Sequence, residues 1–299
     1  MTSLAGRTAI ITGAGRGLGR EHALRFAELG ANVVVNDNGA SSDGAGADDS
    51  PVRAVVEEIR AQGGQAVAHV GSVTDWDSAG EMVDLAVSTF GGLDILINNA
   101  GILRDRTIVN MSEEEWDSVI AVHLKGHFCA LRHAAAYWRD QAKNGTPRKA
   151  AVVNTSSGSG LKGNPGQLNY ASAKAGIAAM TIVAARELER YGVRVNAIAP
   201  VARTRLTLQT PGMGDLLAAE PGGWDKWAPG NVTPLVSYLV QEDCHISGQV
   251  FSVMGGHVGL EQGWTLVDQW NRDSAWTEEE LAKALAKVPS APPEFAVSL

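Results

Sequence analysis

The sequence predicts an α/β fold, a doubly wound parallel sheet of about seven strands with helices on both faces. Three observations carry this. Short apolar runs alternate with stretches of helical period from the start of the chain to about residue 260. Such alternation builds parallel βαβ units with the helices packed on the sheet. A glycine-rich turn, TGAGRGLG, sits between the first apolar run and the first helical stretch. A later run, LDILINNAG, ends in the polar pair Asn98 and Asn99. In an open parallel sheet, polar groups at the carboxyl ends of strands face the ligand crevice.

The chain has 299 residues and a formal charge of −8. That length is ample for a buried core. The acidic balance argues against nucleic acid as a partner, because phosphate binding needs clustered Lys and Arg. No apolar run approaches the ~20 residues that span a bilayer, so no membrane insertion is expected. The N-terminus runs almost directly into TAIITGAG, with no basic segment ahead of a cleavable apolar one. Cys129 and Cys244 are the only cysteines. Two isolated cysteines read as free thiols of a reducing, cytoplasmic compartment.

The first strand is Thr8 to Thr12, and the helix after the turn carries Ala23, Phe26, Ala27 and Leu29 before Gly30 stops it. Within the turn, Gly13, Gly17 and Gly19 let the backbone approach a pyrophosphate, with Arg16 and Leu18 between them. The helix N-terminus adds free N–H groups and a favourable dipole. The second strand, ANVVVND, ends in Asp37. An acidic residue there accepts hydrogen bonds from the adenosine ribose and repels a 2′-phosphate, which favours NAD over NADP. Arg16 argues the other way. Asp43, Asp48 and Asp49 add negative charge in a Gly/Ser/Asp-rich stretch, most of which reads as a solvated loop.

A helix from Val52 to Gln62, a strand from Gln65 to Val70 and a helix from Trp76 to Phe90 continue the pattern, with Asp75 as a helix cap. Val73, just after the third strand, is expected at the adenine site. Strand four delivers Asn99, Ala100 and Gly101. A long helix from Ser112 to Lys143 opens with a Ser112/Glu115 capping box. His123 and His127 on it are four apart, a spacing that can hold a metal. No Glu lies in the middle of the pair and no acidic or Cys ligand is nearby, so no metal site is expected.

Strand five, AAVVNTS, leads to Ser156 and Ser157, and the next helix carries Tyr170 and Lys174. Four residues apart on a helix, these two share one face. A phenol titrates near ~10 in isolation, and a neighbouring ammonium favours its phenolate. With Ser157 holding a substrate oxygen, this is a proton-transfer site. Strand six, GVRVNAIAP, ends at Pro200, with Thr204 just beyond. Residues 203–230 read as a lid with Trp224 and Trp227, since a loop that long is usually functional. A helix from Val232 to Val240 and a strand from Gln249 to Val253 close the sheet at Gly255 and Gly256. Residues 1–260 thus read as one dinucleotide-binding and catalytic domain. Residues 261–299 read as a tail with one helix near Thr277 to Lys287 and a Pro-rich end.

TGxxxGxG at Thr12 to Gly19, NNAG at Asn98 to Gly101, and Ser157 with YxxxK at Tyr170 to Lys174 resemble the short-chain dehydrogenase/reductase family, with its Rossmann-type fold. NNAGILRDR, VHLKG and GNPGQLNYASAK look like the (3R)-hydroxyacyl-CoA dehydrogenase part of peroxisomal multifunctional enzyme type 2. The resemblance implies NAD-dependent oxidation of a secondary alcohol, either a (3R)-3-hydroxyacyl-CoA or a 17β-hydroxysteroid. It also implies a homodimer or homotetramer, built on the long helix and the Tyr170/Lys174 helix. Tyr170 would be the base, Ser157 the donor to the substrate oxygen, and Lys174 the residue that lowers the phenol and holds the nicotinamide ribose. Pro200 and Thr204 would lie near the carboxamide. His123 stands where the broader family has an Asn that helps hold a water, and is a fourth candidate. Val201 departs from the Gly usual after that Pro. Two alternatives stay open: an NADPH-dependent 3-oxoacyl reductase, and an NAD-binding sensor or scaffold without turnover. Arg104, Arg106, Lys162, Arg203 and Arg205 are candidate contacts for CoA phosphates.

Overall fold

The computed structural model describes residues 3–46, 48–210, 213–219 and 222–290. The first half alternates strand and helix: β1 (Thr8–Thr12), α1 (Gly17–Glu28), β2 (Asn32–Asp37), α2 (Ser50–Ala61), β3 (Gln65–Val70), α3 (Trp76–Phe90) and β4 (Ile95–Asn98). Then come α4 (Glu113–Ile120), α5 (Gly126–Lys143), β5 (Ala150–Thr155), α6 (Gly158–Lys162), α7 (Leu168–Leu188) and β6 (Val193–Pro200). The C-terminal part holds α8 (Met213–Leu216), α9 (Thr233–Leu239), β7 (Val250–Met254), β8 (His257–Glu261) and α10 (Glu278–Ala284). The Pro-rich end lies outside the described residues.

The sheet runs β3-β2-β1-β4-β5-β6-β7-β8. The order reverses between β1 and β4, and their carboxyl ends open the crevice that such sheets use for ligands. Alternate residues of the strands feed two cores. Ile11, Val33, Val35, Ile97 and Val153 pack with Phe26, Val56 and Leu239 on one face. Ile10, Val34, Leu96, Val152 and Val195 pack with Met82, Leu131 and Trp138 on the other. Buried on both faces, these strands read as unbroken apolar runs.

The sheet has eight strands rather than about seven. Gly255, at φ 51°, turns the chain back on itself, and β8 pairs antiparallel with β7 from Met254↔His257 to Val250↔Glu261. The left-handed backbone that closes this two-residue hairpin favours glycine. The long helix also departs from expectation. Between α4 and α5, Ala121 to Lys125 forms one π-helical turn, and His123 sits in its middle. Such turns concentrate at functional sites. Both cysteines are buried and free. No described helix is long and apolar enough to cross a membrane.

Candidate active site

The glycine turn is clasped by the loop after β4. Thr12 Oγ1 accepts the N–H groups of Asn99 (2.9 Å) and Ala100 (3.1 Å). Asn99 Nδ2 returns hydrogen bonds to the carbonyls of Thr12 (2.9 Å) and Gly13 (3.1 Å). Beneath this clasp a Cβ on Gly13 would lie 2.7 Å from Ala100 Cα, so only glycine fits. At the end of β2, Asp37 accepts the Gly15 N–H at 2.9 Å and the Gly39 N–H at 2.7 Å.

Two cavities meet at this end of the sheet. The first, about 230 Å³, runs over the glycine turn between the ends of β1 and β4. Gly13, Arg16, Gly17, Leu18, Asp37 and Val73 are among its lining residues. So are Asn99, Ala100, Gly101, His123, Lys174, Pro200 and Thr204. Gly19 is the exception among the expected cofactor contacts. It faces away from the cavity, and a Cβ there would lie 2.4 Å from the Gly13 carbonyl and 2.6 Å from Asn99 Nδ2. Its role is to let α1 pack against the turn. The loop after Asp37 also departs from a solvated coil, because Asn38, Ser41, Ser42 and Gly44 form a wall of this cavity. Ser42 O accepts the Leu103 N–H at 3.0 Å, and Arg104 Nε donates to Asp43 O at 2.9 Å.

The second cavity, about 360 Å³, is walled by Ser157, Ser159, Gln167, Leu206, Met213 and Leu216, with β8 along one side. Tyr170 lines both cavities. Ser157 caps α6, its Oγ accepting the Ser159 N–H at 3.2 Å. Asn169, not singled out from the sequence, fixes the start of α7. Its Oδ1 accepts the Tyr170 N–H at 2.8 Å, and its Nδ2 donates to Arg104 O and Glu115 O, both at 3.0 Å.

Lys174 is 2% exposed, and its Nζ donates to Thr155 O at 2.6 Å. The same Nζ lies 5.4 Å from the centre of the Tyr170 ring. Loss of water dominates both titrations. It pushes the phenol up to about 12 against the pull of the Ser157 hydroxyl, and nearby Asp105 adds to the rise. It pushes the Lys174 ammonium down to about 7. The sequence expectation of a phenol lowered by its lysine therefore does not hold in this site without added positive charge.

His123 is fully buried and packs edge-on against Tyr170, with ring centres 5.1 Å apart. Its Nε2 lies 2.7 Å from the Ile102 carbonyl and 3.1 Å from the Ile102 N–H, while Nδ1 has no partner. Burial, then the Lys174 charge, hold it well below the usual imidazole range, so the ring is neutral. The tautomer that gives Nε2–H to the carbonyl leaves Nδ1 an acceptor, and the one that takes the Ile102 N–H on Nε2 makes Nδ1 a donor. Among the described residues no group of three His, Cys, Asp or Glu is placed to hold a metal.

The basic residues proposed for CoA are mostly engaged. Arg104 pairs with Glu114 at 2.8 Å, Arg106 with Glu115 at 3.2 Å, and Lys162 with Glu261 at 3.7 Å. Arg203 pairs with Asp225. Arg205 lines the first cavity, not the second. Neither lid tryptophan lines the second cavity. Trp227 is buried with Leu217 and Met254, and Trp224 rests against the Gly255–Gly256 turn.

The short chain dehydrogenase family model matches residues 7–209, and the chain belongs to that family of oxidoreductases. It is 46% identical over 292 residues to the hydroxyacyl-CoA dehydrogenase ChsB1 of Mycobacterium tuberculosis, covering 95% of this chain and 89% of that protein. It is 42% identical over 251 residues to peroxisomal multifunctional enzyme type 2 of Drosophila melanogaster, covering 84% of this chain and 39% of that protein. The crystal structure of a short chain dehydrogenase from Mycobacterium avium superposes with a TM-score of 0.84 at 50% identity, over 95% of this chain and 94% of that one. The family works with nicotinamide dinucleotides, and the first cavity fits one: a glycine-rich turn at a helix N-terminus, with a carboxylate at the far end.

Proposed function

We propose that this protein is an NAD-dependent dehydrogenase that oxidises the secondary alcohol of a (3R)-3-hydroxyacyl-CoA to the ketone. The observation that carries the reading is Tyr170, whose side chain borders both cavities beside Ser157 and Lys174. In the first cavity a bound nicotinamide dinucleotide supplies the hydride acceptor. In the second, Ser157 and Tyr170 would hold the carbinol oxygen, and the carbinol O–H proton would pass to the ionised Tyr170 oxygen as the C–H bond breaks and its hydride leaves for the nicotinamide. Such proton transfer is typically worth about 10²–10⁴-fold. Lys174 holds the nicotinamide ribose and, when protonated, stabilises the phenolate. His123 offers its unpartnered Nδ1 as a hydrogen-bonding group for a water beside Lys174. The wall formed by Leu206, Met213 and Leu216 suits an acyl chain.

The working unit is a homodimer or homotetramer. Phe128 on α5 and Val183 on α7 are about half exposed, as is Val258 on the unpaired edge of β8. The buried free thiols agree with a cytoplasmic setting. The test is NAD reduction with a (3R)-3-hydroxyacyl-CoA and with a 17β-hydroxysteroid side by side, each repeated with NADP. Strong turnover of the thioester with NAD supports the reading. Turnover of the steroid alone, or of the thioester only with NADP, overturns it.

A further inference from the structure

Beside Ser157, the wall of the second cavity holds a hydrogen-bond chain whose direction is fixed. Gln167 is 5% exposed and Ser159 is 8% exposed. Gln167 Nε2 donates to Asp105 Oδ2 at 2.7 Å. Gln167 Oε1 accepts from Ser159 Oγ at 2.7 Å and from Asn164 Nδ2 at 2.9 Å. Asp105 sets this order. A carboxylate has no proton to give, so Gln167 turns its NH2 group toward Asp105 and its oxygen toward Ser159. The single proton of Ser159 is then committed to Gln167. What Ser159 presents to the cavity is an oxygen that can only accept. It lies next to the reacting centre, since its own N–H is bonded to Ser157 Oγ.

A substrate lying along this wall must bring a donor. The carrier arm of an acyl-CoA has an amide N–H two carbons beyond the thioester sulfur. We propose that Ser159 Oγ accepts that amide N–H, and that Asp105 and Gln167 are positioning residues that hold Ser159 in its accepting state. This rests on the reading of the enzyme as a 3-hydroxyacyl thioester dehydrogenase. It goes further in assigning recognition of the carrier arm to a neutral acceptor rather than to the paired arginines.

The test compares two small thioesters of one (3R)-3-hydroxy acid. One is the N-acetylcysteamine thioester, which keeps the amide. The other is its carbon isostere, in which CH2 replaces N–H. An unmade hydrogen bond to a buried acceptor costs enough that the amide form should show about tenfold higher kcat/KM. In Asp105→Asn, the residue at 105 can donate as well as accept, so Gln167 is free to turn and the ratio should fall toward one. In the double variant Asp105→Asn with Gln167→Glu the ratio should return. The new carboxylate at 167 can only accept, from Ser159 on one side and from the amide at 105 on the other. A purely structural role would not restore a substrate ratio in this way. Equal turnover of the two thioesters by the wild type overturns the inference and leaves the proposed function standing. An undiminished ratio in Asp105→Asn also overturns it. No turnover of either thioester removes the proposed function and this inference with it.

Discussion

Replacing Asp37 by Asn tests how the first cavity selects its dinucleotide. Asp37 is tethered through both oxygens, to the N–H groups of Gly15 and Gly39. Its charge is therefore fixed at the adenosine end of the cavity. Arg16, the one cation in the glycine turn, lies 3.5 Å from Asp48, so much of its charge is matched. A 2′-phosphate entering here brings a charge of about −1.5 to −2. At about 4 Å and an effective dielectric near 20, each unit of that charge is repelled by about 4 kcal/mol. One unit alone corresponds to about 10³-fold in affinity, and solvent screening at this part-exposed carboxylate makes that the figure to expect. Ribose hydroxyls suffer no such repulsion and can donate to the same oxygens. The Asn variant keeps the volume and one accepting oxygen, and loses the charge together with one of the two N–H tethers. Titration calorimetry at constant ionic strength should show wild type binding NAD about 10³-fold more tightly than NADP. In the variant the gap should close to about tenfold, mainly through tighter binding of NADP. An unchanged NAD/NADP ratio in the variant, or a wild type that prefers NADP, would refute the assignment of Asp37 as the selector.

Tyr170→Phe should lower kcat by at least about 10²-fold while leaving the NAD dissociation constant within about twofold, because the ring is kept and only the proton acceptor is lost; near-normal turnover would remove Tyr170 from the reaction. Gly19→Ala places a Cβ 2.4 Å from the Gly13 carbonyl. Overpacking of this kind costs about 1–3 kcal/mol, so thermal unfolding should drop by several degrees and NAD should bind more weakly, whereas an unchanged Tm would show that the turn yields freely. His22 is buried between α1 and α9, with Nδ1 2.9 Å from Thr233 Oγ1, and burial holds its pKa at about 3 against 6.5 in the unfolded chain. Between those values the unfolded chain takes up a proton that the folded chain excludes, so stability falls as pH falls through this window, by about 1.4 kcal/mol per pH unit for this group. His22→Gln should flatten that decline in urea titrations between pH 7 and 5, leaving the parts due to His69, His123 and His127, which burial also lowers; an identical decline would show that His22 is not its source.

The chemistry-bearing parts that the sequence displayed are those whose geometry is local. The glycine turn, the YxxxK spacing and the strand-ending Asn pair each depend on a few adjacent residues, and the βαβ alternation orders them. What stayed hidden depends on partners far along the chain. The loop after Asp37 reads as coil because its contacts are with Leu103 and Arg104, some 60 residues away in the fold's other half. The strand from His257 to Glu261 is short and half-exposed, and only its pairing with β7 makes it a cavity wall. Trp224 and Trp227 look like lid contacts from composition, but Trp227 is drawn into a small core of its own. The π-turn at His123 has no clear periodic signature, since an extra residue in one turn leaves the surrounding helical pattern nearly intact.

The electrostatics of Tyr170 and Lys174 show why spacing alone does not reveal chemistry. Four residues on a helix bring the two side chains to one face, and in water that would favour phenolate beside ammonium. In the folded site both are cut off from water, and desolvation outweighs their mutual attraction. The phenol moves up to about 12 and the ammonium down to about 7, each toward its neutral form. The carboxyl group of Asp105 adds to the first shift, because a negative charge nearby opposes a second. The resting site is thus closer to a neutral pair than to an ion pair. In the proposed reaction, positive charge added beside the ring would favour the phenolate. The neutral resting pair follows from burial rather than from the motif that marks the site.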